Sequence, residues 1–352
     1  MKKVFLYAYD RRNLGDDLFV HTIARRYPHV QFYMWSDREN RETFACLPNL
    51  KVVDKDSRFA HLLYKLRPSL GARYKGWLER RCDAVVYIGG SIFMEYPNWE
   101  TICTWWEYEA RNRTLYVLGA NFGPWHTEGY REKMAKVFAD CRDVCFRDRY
   151  SAKLFPGIVR QAPDILFSHP MPKVAVKENQ VFVSVINCAG RDESHDLSRH
   201  DEKYVANMAA LLRQLLEEGR DLVLASFCAE EGDEEGIRKI LAAMGCEKDP
   251  RVGTLCYDGT NAGELAAAIA ESGGVIATRF HAAILAIAAG RPVLPIIYSD
   301  KTKYVLQDLG FEGSMYDLRE DGDWNAAQMT TAIAPTAQAE GHFEKLDAVL
   351  GR

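Results

Sequence analysis

A chain of 352 residues is too long for one ordinary hydrophobic core and is typical of two domains. Hydrophobic residues make up 47% of it and charged residues 27%, the balance of a soluble globular protein, and it has no run of about 18 apolar residues to span a membrane. The formal net charge of −4 argues against nucleic acid as a partner.

In chain order, short apolar segments alternate with stretches of helical periodicity. Strands are predicted in the first half over 3–9, 30–35, 51–54, 84–90, 115–120 and 144–148. Helices are predicted there over 99–112 and 130–140. Most of the strands are apolar on both faces, which is typical of a parallel sheet covered by helices.

The stiff polar segment His169-Pro170-Met171-Pro172 predicts a domain boundary, after which the alternation restarts. Strands are predicted over 181–186, 221–227, 252–257, 274–278 and 293–298. Helices are predicted over 201–218, 232–244, 261–272 and 281–289. The sequence therefore predicts an α/β fold of two Rossmann-like, doubly wound domains over 1–172 and 178–330, with a C-terminal helix over 338–352 that packs back on the first.

Cysteine spacing predicts neither disulfides nor a metal site. None of the nine cysteines forms a Cys-x-x-Cys pair, and Cys141 and Cys145 have no His or Cys partner at zinc spacing. We therefore interpret the cysteines as reduced core thiols of a cytosolic protein.

Polar or glycine-rich strand ends define the candidate site, because ligands of open α/β sheets bind beyond the carboxyl ends of strands. These ends carry Asn13, Gly15, Asp16, Asp17, Gly89, Gly90, Ser91, Asn121, Arg147, Asn187, Arg279, His281 and Lys301. The stretch 191–200, rich in Asp, Ser and His, is predicted to be a loop that either covers the site or is solvated.

The segment Arg279-Phe280-His281 is the strongest candidate. It lies in the turn between an apolar strand and an apolar helix, where a buried arginine needs an anion. The start of the helix adds free N–H groups and a positive dipole, which favour a phosphate or carboxylate. His281 is a candidate proton donor there; an arginine–carboxylate ion pair with a histidine cap is the alternative.

Lys301 follows the next strand and is a candidate second cation for a substrate with two anionic groups. A solvated surface lysine is the equal alternative.

The turn from Asn13 to Asp17 and the turn Gly89-Gly90-Ser91 are weaker candidates. Asp16 or Asp17 is expected to cap the first helix, and the other to bind sugar hydroxyls. The glycines admit a ligand close to the backbone, without the spacing of a Walker or GxGxxG loop. Arg147 is either a ligand contact or half of a local ion pair.

Four tryptophans are candidates either for stacking on a sugar ring or for the core: Trp99, Trp105, Trp106 and Trp125.

These motifs together resemble the polysaccharide pyruvyltransferase family. The matching segments are GDDLF, YIGGSIF, GANFGP, FRDRYSAKLF, APDILF and TRFHAAILAIAAGRPVLPIIYSDKTKYVLQDLG, in that order over 15–310. The last carries the family's Arg-x-His, a Gly-x-Pro turn, a lysine and a closing Leu-Gly. Gly89-Gly90-Ser91 departs from the family's usual triple glycine, which leaves the ligand contact at that turn open.

The resemblance implies a GT-B-like fold with the active site in the interdomain cleft, and transfer of pyruvate from phosphoenolpyruvate to a sugar diol as a cyclic ketal. It implies that Arg279 and Lys301, with Arg147 as a further candidate, meet the two acidic groups, that His281 protonates the methylene carbon, and that Asp16 or Asp17 acts on an acceptor hydroxyl. Phosphoenolpyruvate is then a co-substrate, with no cofactor and no metal.

The expected partners are phosphoenolpyruvate and a sugar or lipid-linked oligosaccharide acceptor. The expected location is the cytoplasm, either throughout or peripherally at the inner face of the membrane, and homo-oligomerisation is left open.

Two other functions remain. A GT-B glycosyltransferase using a nucleotide sugar would need a late carboxylate for the ribose, for which Glu312 and Asp317 are candidates. A non-catalytic sugar-binding protein would leave the charged strand ends without a shared purpose.

Overall fold

The computed structural model describes residues 1–55, 68–189, 197–246 and 248–352, and these form two compact units. The first unit comprises residues 1–10, 16–168 and 337–352, and the second comprises residues 11–15 and 169–336. Most of the polar stretch 191–200, namely 191–196, lies outside the described residues.

The first unit is built on a parallel sheet of seven strands in the order β3-β2-β1-β4-β5-β6-β7. The strands are β1 (Lys3–Tyr7), β2 (Gln31–Ser36), β3 (Leu50–Asp54), β4 (Ala84–Ile88), β5 (Leu115–Ala120), β6 (Asp143–Phe146) and β7 (Arg160–Gln161). All residues of β4 and β5 are buried, because helices cover both faces of the sheet. The chain order reverses between β1 and β4, which makes a topological switch point.

Helices connect these strands as parallel pairing requires. They are α1 (Leu14–Arg26), α2 (Asn40–Thr43), α3 (Pro68–Glu79), α4 (Trp99–Asn112), α5 (Glu128–Asp140) and α6 (Arg149–Lys153). In α4 the buried residues Cys103, Trp106 and Ala110 recur at helical spacing and face the sheet.

The second unit has a parallel sheet of six strands in the order β10-β9-β8-β11-β12-β13. The strands are β8 (Lys177–Ser184), β9 (Asp221–Ser226), β10 (Val252–Cys256), β11 (Ser272–Ala277), β12 (Val293–Ile297) and β13 (Tyr316–Asp317). The helices are α7 (Asp201–Glu217), α8 (Asp233–Met244), α9 (Ala262–Glu271), α10 (Phe280–Ala288) and α11 (Asp300–Asp308). Here the switch point lies between β8 and β11.

The predicted fold class is confirmed: each unit is a doubly wound α/β sheet of the Rossmann-like kind. The short edge strands β7 and β13 were not predicted, because two residues are too few for a hydrophobic pattern. Among the described residues, no helix is long and apolar enough to cross a membrane, and no group of His, Cys, Asp or Glu is arranged to hold a metal ion.

The prediction that the cysteines are core thiols is only partly right. All nine are free thiols, but only Cys103, Cys145, Cys188 and Cys228 are buried, and Cys46 is exposed.

The C-terminal segment forms α12 (Thr336–Ala339), a 3₁₀ turn over Glu340–Phe343 and α13 (Glu344–Leu350), rather than one helix. Residues from Ala337 onward belong to the first unit. Arg26 donates to Asp347 at 2.7 Å, and the Oη of Tyr27 donates to the same carboxylate at 2.6 Å. These bonds tie α13 to the end of α1.

His342 is the buried anchor of this segment and predicts acid sensitivity. Its Nε2 donates to the carbonyl of Pro163 at 2.8 Å, and burial lowers its pKa from 6.5 to about 3. Below pH 6.5 the His342 imidazole therefore takes up a proton in the unfolded chain but stays neutral in the folded unit. The free energy of unfolding falls as the pH falls. We expect a loss of about 2 kcal/mol between pH 7 and pH 5 from this group.

Urea unfolding at both pH values checks this prediction. His342→Gln should reduce the pH dependence, because the buried imidazole is then gone. A remaining slope is expected from His21, since burial also lowers its pKa, to about 4. Equal pH dependence in wild type and His342→Gln would contradict the assignment.

Candidate functional site

The candidate residues of the second unit gather at the carboxyl edge of its sheet. Asn187 follows β8, Arg279 and His281 follow β11, and Lys301 follows β12. These three strands are neighbours, with Ser184 paired to Ala277 and Ala277 to Pro295. The turns beyond them therefore lie side by side, at and next to the switch point of this sheet.

Arg279 is buried in an ion pair. Its Nε donates to Asp233 at 2.9 Å, its Nη2 donates to the other oxygen of the same carboxylate, and its Nη1 donates to Glu231 at 2.5 Å. Burial lowers its pKa, but Asp233 and Glu231 outweigh that effect and raise the pKa well above its ordinary value. The ion pair left open as the alternative is thus present in the structure, and a direct contact of Arg279 with a substrate stays a prediction.

Asp233 fixes the position of the turn that carries Arg279. It is completely buried at the start of α8, where its carboxylate also accepts hydrogen bonds from the backbone N–H groups of Phe227 and Cys228, both at 3.0 Å. One side chain therefore joins the end of β9 to the turn after β11. Glu231 is the more accessible carboxylate, with 29% of its side chain exposed.

His281 lies against the backbone of Gly15. Both residues belong to the second unit, since residues 11–15 pack there through the N–H of Leu14, which donates to Phe227 at 3.0 Å. A Cβ added to Gly15 would lie 1.7 Å from the Nδ1 of His281. Only glycine leaves room for the imidazole at this position.

Asn13 is the residue that caps α1. It immediately precedes the helix, and its Oδ1 accepts from the N–H of Gly15 at 3.1 Å. The expectation that Asp16 or Asp17 caps this helix is wrong, because both lie inside its first turn. The Nδ2 of Asn13 also approaches Glu231 at 3.5 Å, which connects the cap to the ion pair of Arg279.

We expect Gly15→Ala to displace the His281 ring and, on the prediction that His281 is a proton donor, to lower turnover by roughly 10²-fold, the cost of misplacing a catalytic group by about 1 Å. Gly263→Ala is the matched control, because Gly263 is also the second residue of a helix, α9, and an added Cβ there meets nothing within 4 Å. The control should be neutral or stabilising by roughly 0.5–1 kcal/mol. Steady-state kinetics and thermal unfolding of both variants decide, and full activity in Gly15→Ala would contradict a role for the His281 position.

Lys301 is half-buried in the first turn of α11. Ser299 precedes this helix, and its Oγ is buried without a hydrogen-bond partner among the described residues. A hydroxyl, a lysine and the N–H groups of a helix start are the donor set of an anion site. Ser299 was not singled out from the sequence.

Asn187 is held by a lysine. The Nζ of Lys239 donates to its Oδ1 at 3.0 Å and to Asp201 at 2.7 Å. Gly232 lies next to the amide, since an added Cβ would be 3.0 Å from the Nδ2 of Asn187. Asn187 is therefore a fixed polar group beside the loop that carries Glu231.

In the first unit, the turns after β1 and β4 flank the switch point. Asp16 is half-buried and Asp17 is buried in α1. A Cβ on Gly89 would lie 3.9 Å from an Oδ1 of Asp16, so this carboxylate adjoins the glycine turn. Ser91 is half-buried in the same turn.

Arg147 and Asn121 contact the turn Gly89-Gly90-Ser91. Arg147 is buried and donates to Asp164 at 3.1 Å and to the Oδ1 of Asn121 at 2.9 Å. Its guanidinium lies on Gly90, where an added Cβ would be 2.6 Å from Nη2, and the N–H of Asn121 donates to the carbonyl of Gly90 at 2.8 Å. Arg147 thus forms an ion pair, with the distant Asp164 rather than with a local carboxylate, and its contact with a ligand stays a prediction. Burial raises the pKa of Asp164, although Arg147 opposes this.

The tryptophans divide between surface and core. Trp106 is buried, Trp99 and Trp125 are half-buried, and Trp105 is 38% exposed.

Three carboxylates that pair with candidate arginines escaped the sequence reasoning: Glu231, Asp233 and Asp164. The first two lie in EEGDEEG, which reads as a solvated run of charge. The available signal was the glycine after Glu231, at the start of the predicted helix 232–244; in the structure Gly232 has a φ of 79° and directly precedes α8. Of the late carboxylates considered for a nucleotide ribose, Glu312 is exposed, and Asp317 accepts from Arg319 with both oxygens.

The family model of polysaccharide pyruvyl transferase matches residues 13–300. The amylovoran biosynthesis protein AmsJ of Erwinia amylovora is 22% identical over 268 residues, which cover 68% of this chain and 62% of that protein. The chain thus spans less than two thirds of the length of this curated relative.

Solved structures share the fold at low identity. The UDP-GlcNAc 2-epimerase of Neisseria meningitidis bound to UDP-GlcNAc matches with a TM-score of 0.58 and 10% identity, covering 100% of both chains. Anabaena Alr3699/HepE in complex with UDP-glucose matches with a TM-score of 0.58 and 14% identity, covering 99% of this chain and 97% of that one. These likenesses confirm the GT-B-like fold class.

Proposed function

The chain belongs to the polysaccharide pyruvyl transferase family, and on that basis we propose that it transfers pyruvate from phosphoenolpyruvate to a sugar diol as a cyclic ketal. The observation that carries the proposal is the edge of the second sheet, where His281, Lys301 and two helix starts follow adjacent strands. We propose polysaccharide biosynthesis as the setting, as the name of the Erwinia relative suggests.

The proposed reaction begins with a proton. His281 donates it to the methylene carbon of phosphoenolpyruvate, which becomes a methyl group and leaves the second carbon electrophilic. One sugar hydroxyl adds to that carbon and loses its proton. The bond from carbon to the phosphate oxygen then breaks, phosphate leaves, and the second hydroxyl adds and loses its proton. One of the two hydroxyl protons restores His281 and the other goes to phosphate, so the ketal and inorganic phosphate are the only products.

The acidic groups of phosphoenolpyruvate need donors, and we assign Lys301 as the first. The partnerless Oγ of Ser299 and the first N–H groups of α11 support this assignment, because they lie in the same turn.

We assign Arg279 as the second cation and propose that the substrate carboxylate takes the place of one of its two protein carboxylates. Asp233 is fully buried and holds two of the guanidinium nitrogens, whereas Glu231 is partly exposed and holds the third. We propose that the substrate carboxylate replaces Glu231 at Nη1 while Asp233 keeps the guanidinium oriented.

The acceptor is assigned to the first unit. Asp16, beside the glycine turn of Gly89 and Gly90, is a candidate for accepting a hydrogen bond from a sugar hydroxyl or its proton. Arg147 and Asn121 act as positioning residues, since both bind the backbone or side chains that form this turn. The acceptor is a sugar, either free or carried on a lipid.

Ligand binding tests the two cations. Lys301→Ala should weaken binding of phosphoenolpyruvate by about 1.5–3 kcal/mol, the worth of a charge-assisted hydrogen bond. Lys303→Ala is the matched control on the same helix, because Lys303 is exposed, and it should bind normally. Glu231→Gln should bind more tightly, because the competing carboxylate is gone, whereas Arg279→Lys should bind more weakly, because the planar fork is lost.

Titration calorimetry gives these affinities. Thermal stabilisation by phosphoenolpyruvate rather than by UDP or GDP supports pyruvyl transfer, since a ligand that binds the folded state raises its stability. Stabilisation by the nucleotides alone would favour a nucleotide-sugar donor, and stabilisation by none would favour a non-catalytic protein. Equal affinities in Lys301→Ala and Lys303→Ala would reject the assignment of Lys301.

A further inference from the structure

The overall charge of −4 conceals one strongly basic stretch of the chain. From residue 58 to residue 81 the sequence has seven Lys or Arg and one acidic residue, a local charge of +6. The rest of the chain is correspondingly acidic. The described end of this stretch is the second half of α3 and the two residues that follow it.

An exposed tryptophan accompanies these charges. Trp77 is 43% exposed on the outer side of α3, while its neighbours Gly76 and Glu79 are buried against the unit. Tyr74 stacks on the indole with ring centroids 6.2 Å apart, and the guanidinium of Arg81 lies 4.0 Å above it. The aromatic side chain is thus held outward in a fixed position beside two exposed arginines, Arg80 and Arg81.

We propose that Trp77, Arg80 and Arg81 form a docking surface for an anionic membrane. Tryptophan and arginine together are the side chains that lie at a bilayer surface, the indole among the headgroups and the cation beside lipid phosphates. Charge complementarity supports a membrane, because Arg80 and Arg81 lie at the described end of a stretch whose sequence carries a charge of +6, which an anionic surface attracts. The surface would bring the enzyme to a lipid-linked acceptor.

The sequence favours a membrane over a nucleic acid as the occupant. Residues 58–67 include four Phe or Leu between their cations. Apolar residues interleaved with cations are a composition shared by sequences that bind anionic membranes. Binding of a phosphate backbone relies on cations, hydrogen-bond donors and stacking rings, and gains little from aliphatic side chains.

Co-sedimentation of the full chain with vesicles tests this surface. Wild type should pellet with vesicles of phosphatidylglycerol and phosphatidylcholine, less so at high salt, and not with phosphatidylcholine alone. The double variant Arg80→Gln with Arg81→Gln should lower the partition coefficient by roughly 30-fold. Trp77→Ala should weaken binding at high salt as well, because its contribution is not electrostatic.

The matched control is Lys136→Gln with Lys153→Gln, which removes two charges from exposed positions of the same unit and should bind as wild type does. Thermal unfolding checks that all variants are folded. Absence of vesicle binding by wild type, an equal loss in the control, or preference for duplex DNA over vesicles would overturn the proposal. The measurement needs no substrate, so it can fail while phosphoenolpyruvate binding stands, and the reverse.

Discussion

Replacing His281 by glutamine is expected to leave phosphoenolpyruvate binding largely intact and to lower turnover by roughly 10²–10⁴-fold, the usual contribution of a positioned general acid. Glutamine keeps a hydrogen-bonding side chain in the first turn of α10 but has no proton to give to carbon. Gly15 leaves space for the ring, so the smaller amide should fit without strain.

The control for this variant is His126→Gln, at an exposed histidine outside the candidate residues. Single-turnover kinetics with saturating phosphoenolpyruvate separates chemistry from binding. Wild-type activity should decline on the alkaline side, where an acid loses its proton, and the residual activity of His281→Gln should lack that limb. Near wild-type turnover in His281→Gln would leave the histidine a structural role, and the proton would come from another group.

Asp233→Ala is expected to destabilise the second unit by about 3–5 kcal/mol, the cost of breaking a buried ion pair by removing one partner. Asp233 accepts two bonds from Arg279 and two from the backbone after β9, and it is completely buried. Among the described residues, its loss leaves the buried guanidinium with one carboxylate partner, the partly exposed Glu231.

Glu231→Gln is the comparison, because it keeps the shape of the turn and removes the more accessible charge; it should cost far less. Urea unfolding measures both. The double variant Asp233→Ala with Arg279→Met should recover part of the loss, since the uncompensated charge is then gone. A change in Asp233→Ala no larger than in Glu231→Gln would show that Asp233 does not hold the site together.

The sequence alone determined the fold class and the location of the candidate residues on strand ends. Strands such as β4 and β5 are apolar throughout, and burial on both faces of a parallel sheet requires that composition. The alternation with helices then leaves few topologies, because parallel strands need right-handed crossovers. The Arg-x-His turn can be identified from the sequence because charged residues between two apolar segments are easily recognised there.

Only the tertiary structure determined which residues the charged side chains of these turns contact. Arg279 pairs with Asp233 and Glu231, 46 and 48 residues away, and Arg147 pairs with Asp164, 17 residues away. None of these three partners follows from periodicity, because an ion pair depends on which loops the sheet order brings together. Likewise, the sequence indicates only that Gly15 permits a turn, whereas in the fold its missing side chain makes room for His281. A sequence pattern identifies helices and strands because buried residues recur at a regular spacing along the chain. A functional site depends on contacts between residues that are distant in the sequence, and such contacts produce no regular spacing.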